Sequence, residues 1–209
     1  CEDLHETLYA LLSSIQPGDF FALNAFLPFT GEGRREAIEQ IRHGVAESFG
    51  CVSCLEVGPR YLHSTGQLQK GGPNCGVFLI LSADELKDIP LPQEAESLGA
   101  LAKAQASGDL ITLAERGRRC VHLHLPDNSG VTLRMLALVI RDIVADIIVD
   151  RALAEAEEEA EDAELEQARA EGAVIETAAV APAGEEAARA AQPVAQVEQP
   201  AAQTASEED

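Results

Sequence analysis

Gly76-Val77-Phe78-Leu79-Ile80-Leu81 decides how this chain folds. The run is apolar throughout and has the length of a strand. A continuous apolar run bounded by turn residues is what a strand buried on both faces looks like. Directly before it stands Gly58-Pro59-Arg60-Tyr61-Leu62-His63-Ser64-Thr65-Gly66-Gln67-Leu68-Gln69-Lys70-Gly71-Gly72-Pro73-Asn74-Cys75. That segment reads as a Gly-rich loop crowded with a histidine, two hydroxyls, amides and a lysine. Reactive groups held in a connection beside a buried strand are what a site needs, because loops on a rigid scaffold carry the chemistry.

Working outward, Leu4, Leu8, Leu11, Leu12 and Ile15 have helical spacing, and Pro17-Gly18-Asp19 stops that helix. Phe20 to Phe26 reads as a buried strand closed by Pro28. Glu32 to Phe49 is helical through Ala37, Ile38, Ile41, Val45 and Phe49, with Gly50 as its stop. Cys51 to Val57 is a short strand. Asp84 to Pro92 holds two prolines, which excludes a long helix. Ser97 is a candidate N-cap for a helix to Ser107. Gly108-Asp109 then reads as an interruption before a second helical segment, Leu110 to Glu115. Arg118 to Leu125 alternates as a strand, and Pro126-Asp127-Asn128-Ser129-Gly130 is a turn cluster. From Val131 to about Gly172 the pattern predicts one long helix or two. Such alternation argues for an α/β fold, a parallel sheet flanked by helices on both faces. Ligands then bind beyond the carboxyl ends of the strands.

Charge divides the chain. Of a net −21 over 209 residues, −13 falls from Arg151 onward and −8 on residues 1–150. Residues 1–150 therefore read as the folded domain. Residues 151–172 read as an acidic Ala/Glu helix with little to bury. Residues 173–209, rich in Ala, Pro, Gln and Glu, are expected to be a disordered acidic tail. No clustered Lys/Arg is present to neutralise phosphates, so no nucleic-acid partner is expected. Met135 to Val149 is broken by Arg141, Asp142 and Asp146, so no membrane span is expected. The chain opens on Cys1 rather than Met, which reads as a piece of a longer protein.

Five cysteines cannot all pair with one another. Cys51 and Cys54 make a C-x-x-C, and His122 and His124 share one face of a strand. A zinc site needs four ligands, and no second pair follows at suitable spacing. Reduced thiols in a cytoplasmic protein, with no metal and no cofactor, are the expectation.

Within the motif, His63 is the side chain that titrates near neutral pH and can move protons. Ser64, Thr65 and Gln67 are candidates to bind a sugar hydroxyl or a phosphate, and Lys70 to hold an anion. The plain reading is that His63-Ser64-Thr65 caps a helix and Gly71-Gly72-Pro73 only turns the chain. Spacing alone does not separate the two.

The segment resembles the C-terminal sugar isomerase (SIS) domain of glucose-6-phosphate isomerases. It is most similar to the isomerase part of the bifunctional transaldolase/glucose-6-phosphate isomerase family. The matching residues are Pro17-Gly18-Asp19-Phe20-Phe21-Ala22-Leu23, then Gly58 to Leu68, then Lys70-Gly71-Gly72-Pro73-Asn74. Ala104-Gln105-Ala106-Ser107-Gly108-Asp109-Leu110 and Gly117-Arg118-Arg119 match as well, so the similarity spans about residues 4 to 125. The resemblance implies an SIS-like three-layer αβα fold and the interconversion of glucose 6-phosphate and fructose 6-phosphate. The ring opens, and a proton then moves between C1 and C2 through an enediolate. The histidine implied for ring opening matches His63, within His63-Ser64-Thr65-Gly66-Gln67-Leu68. In the family it reaches the neighbouring subunit's active site, so a homodimer is implied. The carboxylate base and most phosphate-binding residues are implied to precede this region. The family's lysine-bearing ending, near an Asp-Gln-x-Gly-Val-Glu pattern, does not occur here, and Lys70 is the candidate for that lysine's catalytic place. Gln69 stands where the bifunctional proteins carry histidine. The alternative is a sugar-phosphate-binding or oligomerisation module without activity of its own.

Overall fold

In the computed structural model, which describes residues 4–28, 33–84, 88–92 and 96–170, the strands form one parallel sheet of order β2-β1-β3-β4. Strand β1 is Phe20–Phe26, β2 Val52–Val57, β3 Gly76–Ala83 and β4 Arg119–Leu125. Leu23 lies between Leu55 on β2 and Leu79 on β3, and Leu79 lies beside Val121 on β4. All eight positions of β3 are buried, as its unbroken apolar run requires of a central strand. The edge strands β2 and β4 are only half-buried.

Alternate residues feed two cores, because successive side chains of a strand face opposite ways. Phe21, Leu23, Val77, Leu79 and Leu81 pack under helices α1 (Leu4–Ser13), α2 (Arg34–Phe49) and α5 (Gly130–Ala170). Ala22, Phe26, Phe78 and Ile80 pack on the other face with Tyr61 and with Ala106 and Leu113 of α4 (Leu98–Glu115). The result is three layers, helix on sheet on helix. Residues 4–164 belong to one compact unit, and a second begins at Leu165 within α5. Helix α5 is a single helix of 41 residues. The tail expected over 173–209 lies outside the described residues. No helix among the described residues is long and apolar enough to cross a membrane.

Two local readings change. Gly108-Asp109 does not interrupt α4, which is one helix of 18 residues. A mid-helix glycine costs about 1 kcal/mol against alanine. Here Ala106, Asp109 and Leu113 keep one buried face across it, and that burial outweighs the propensity. The motif segment is not a loop. It forms a 3-10 turn, Arg60–His63, and then helix α3, Thr65–Gly71. Other expectations hold in detail: Ser97 Oγ accepts from Ala100 N at 3.1 Å as the cap of α4, and Gly50 closes α2 at φ +61°.

The amino edge of the sheet is clamped by the flanking blocks quoted above. Arg119 donates through both terminal nitrogens to Asp19, at 2.7 and 2.8 Å, and to Ser14 O at 2.6 Å. Gln16 N also donates to Asp19 at 2.7 Å. The Arg119 guanidinium, above all, holds the Asp19 carboxyl below its ordinary range. A lowered carboxylate contributes stability above its unfolded value, about 3.9, and loses it as pH falls through the folded value. Asp19→Asn is therefore expected to cost about 2–3 kcal/mol at pH 7. That is the low side of a broken buried pair, since Arg119 keeps 27% exposure. In urea titrations the gap between wild type and variant should close below about pH 4. A gap that is constant with pH would refute the pairing.

Candidate functional site

The chain leaves β2 at Val57 and turns at once over the carboxyl end of β1. Gly58 N donates to Ala25 O at 2.9 Å. A Cβ on Gly58 would stand 2.5 to 2.7 Å from three carbons of the Phe26 ring. Gly58→Ala is thus expected to destabilise by about 1–3 kcal/mol through overpacking, read as a lower melting temperature.

Tyr61 anchors the 3-10 turn. Its ring meets Phe26 edge-on, centroids 5.8 Å apart, and its hydroxyl donates to Asp109 Oδ2 on α4. Gly66 lets α3 lie on that ring, since a Cβ there would come 2.9 Å from Tyr61 O. One turn further, Gln69 and Asn24 exchange both amide hydrogen bonds, at 3.0 and 3.3 Å, with both side chains buried. Lys70 Nζ pairs with Asp109 Oδ1. Arg118 then donates to Lys70 O and Gly72 O, at 2.9 and 2.6 Å. Tyr61, Gly66, Gln69 and Lys70 therefore face inward, and the opposite face is free to carry chemistry.

His63, Ser64, Thr65 and Gln67 do not face inward. His63 ends the 3-10 turn on the carboxyl-edge connection of β2. Ser64 stands at the start of α3 without capping it; its Oγ donates to Tyr61 O at 3.3 Å. Gln67 Nε2 donates to Leu62 O at 2.8 Å, which turns the side chain back along the turn. All four are exposed on one short segment, with Thr65 and Gln67, two residues apart, on different sides of α3. The structure does not bring Lys70 to them. Its side chain turns inward instead, and its amine is tied to Asp109 of α4.

Cys51 and Cys54 pack against opposite cores, so they do not converge on one ligand. Burial raises both thiols, Cys54 to about 11, which keeps them protonated rather than nucleophilic. Among the described residues no group of three or more His, Cys, Asp and Glu is placed to hold a metal. An apolar groove of about 740 Å³ runs between α2 and α5, lined by Ile41, Val45, Leu138, Val144 and Ile148. It lies on the face away from the motif and holds no acid or base suited to catalysis.

One polar group escaped sequence reasoning. His122 and His124 both bond Ser82 Oγ, through Nε2 at 2.7 Å and Nδ1 at 2.9 Å. Ser82 is buried inside the apolar strand β3, and only the register that sets it beside His124 reveals it. The group sits at the carboxyl ends of β3 and β4. Strand order reverses between β1 and β3, the position where such sheets open a crevice.

No family model matches the chain, and no curated protein is similar to it. Among solved structures, the fold is similar to the crystal structure of a hypothetical protein, TT0462, from Thermus thermophilus, with a TM-score of 0.58 and 20% identity. The match covers 69% of this chain and 39% of that one, so this chain spans well under half of its neighbour's length. At that identity the likeness speaks for the fold, a parallel sheet between helical layers.

Proposed function

We propose that the chain is the C-terminal SIS-type part of a glucose-6-phosphate isomerase, with His63 assisting the opening of the sugar ring. The observation that carries this reading is the motif's two-sided build. Its inner face is fixed to α4 and β1 by Tyr61, Gln69 and Lys70. Its exposed positions carry an imidazole, two hydroxyls and an amide within five residues at a carboxyl-edge connection. Ring opening breaks the C1–O5 bond. The C1 hydroxyl gives up a proton, O5 gains one, and an imidazole at hydrogen-bond reach can carry it. Ser64, Thr65 and Gln67 hold sugar hydroxyls or the phosphate. Lys70 enters as a positioning residue, its amine on Asp109 holding α3 in place. The base that moves the proton between C1 and C2 belongs to regions preceding this one, in a cytoplasmic homodimer whose second subunit completes the site.

The test is a coupled assay for fructose 6-phosphate formation by the full-length protein, with calorimetry of fructose 6-phosphate binding to this chain. Turnover supports the assignment. Binding without turnover favours the non-catalytic module, a reading that Lys70's engagement by Asp109 also favours. Absence of both overturns the sugar-phosphate reading.

A further inference from the structure

Ser82 Oγ stands between two imidazole nitrogens, His122 Nε2 and His124 Nδ1, and is 1% exposed. A hydroxyl offers one hydrogen and two lone pairs. Both contacts are made with the serine hydrogen also in use only when one of the two facing nitrogens carries a hydrogen and the other does not. If both carry one, the serine hydrogen has no acceptor within a closed site. If neither does, one nitrogen faces a lone pair. Beyond Ser82, His124 Nε2 faces Asp84 Oδ1 at 3.4 Å, and Lys103 of α4 pairs with the same oxygen. Among the described residues, Asp84 and Lys103 are the charged groups that ion pairs tie to His124. Cys120 of β4 and Asp109 of α4 lie further along the same face.

We propose that His122, Ser82 and His124 form a single-proton switch at the carboxyl ends of β3 and β4, in which protonation of His124 closes its ion pair with Asp84 and forces His122 to change tautomer. In the neutral arrangement His122 Nε2–H donates to Ser82, Ser82 donates to His124 Nδ1, and His124 Nε2–H faces Asp84. When His124 takes a proton at Nδ1, that N–H must donate to Ser82. The serine hydrogen then turns to His122 Nε2, and the hydrogen of His122 moves to Nδ1 through solvent. A second proton, on His122, would put hydrogens on both facing nitrogens and leave the serine hydrogen without an acceptor, which disfavours it. Burial also disfavours the charged form of His122. The consequence is local: below the transition Asp84, where the β3–α4 connection leaves the sheet, is held by His124 as well as by Lys103. Above it His124 still faces Asp84 but as a neutral ring, so that of the two contacts the one with Lys103 keeps its charge. This device does not rest on the isomerase reading.

The experiment is a pH titration of the ¹⁵N-labelled chain, followed through the imidazole nitrogens from about pH 5 to 8, where histidine changes charge. The expected result is that His124 becomes imidazolium while His122 stays neutral and swaps its protonated nitrogen from Nε2 to Nδ1 at the same midpoint. In Ser82→Ala the His122 tautomer should no longer follow His124. In His124→Gln, an exposed change that keeps the fold intact if Ser82→Ala does not, His122 should hold one tautomer at every pH. Independent protonation of His122 across this range, or a His122 tautomer that ignores His124, overturns the proposal.

Discussion

His63→Ala in the full-length protein is expected to lower glucose 6-phosphate turnover by roughly 10²-fold, the low end of what a positioned acid–base group contributes. That is about 2.7 kcal/mol of barrier. The loss should fall on kcat more than on KM, because Ser64, Thr65 and Gln67 keep their places when the change is confined to residue 63. Folding should not suffer, since His63 is exposed while the turn is anchored by Tyr61. Unchanged urea midpoints in the variant therefore accompany the predicted loss of rate. A substrate already opened to its free-aldehyde form bypasses the step assigned to His63. Its turnover should recover most of the deficit. A loss within twofold on the cyclic sugar removes His63 from the chemistry, whatever the fold.

The framework was legible because its signals are local. Phe20 to Phe26 was bounded by Pro17-Gly18-Asp19 and Pro28, and the strand occupies those residues. The misread places all depend on partners far along the chain. Asp109 looked like a helix breaker beside Gly108. In the fold it is a buried acceptor for Tyr61, 48 residues away, and that contact is what carries α4 through Gly108. The same missing contact made the motif look like a loop. Tyr61 and Gln69 give it an inner face only once Asp109 and Asn24 are in place. His63, Ser64, Thr65 and Gln67 stand out by residue type alone, and the fold adds that each of them is exposed. Lys70 was chosen for its charge, and that charge is engaged by Asp109. Ser82 carried no signal, because one hydroxyl in an apolar strand gains meaning only from the register with β4.

Asp109→Ala is expected to cost about 3–5 kcal/mol, the range for removing one partner of a buried ion pair. The side chain of Asp109 is fully buried and that of Lys70 is 14% exposed, so the ammonium cannot recover its hydration in place. Tyr61 loses its acceptor at the same time. Its phenol is held as the donor, because burial and then the bond to Asp109 both push its ionisation upward. An unmet buried hydroxyl costs about 1–3 kcal/mol. The two losses share one side chain and will not add in full. Against a typical domain stability of about 5–15 kcal/mol, the variant is marginal. Asp109→Asn keeps an oxygen for Tyr61 and should fall between the two. Adding Lys70→Met to Asp109→Ala should restore part of the loss, since it removes the stranded charge and leaves apolar packing. Urea midpoints for the four proteins give the comparison. Because Tyr61 and Lys70 fix the two ends of the motif to α4, Asp109→Asn should also reduce isomerase turnover although it touches none of the four exposed residues. A stability loss under about 1 kcal/mol for Asp109→Ala would mean that the motif is held elsewhere, and the positioning role given to Lys70 would fall with it.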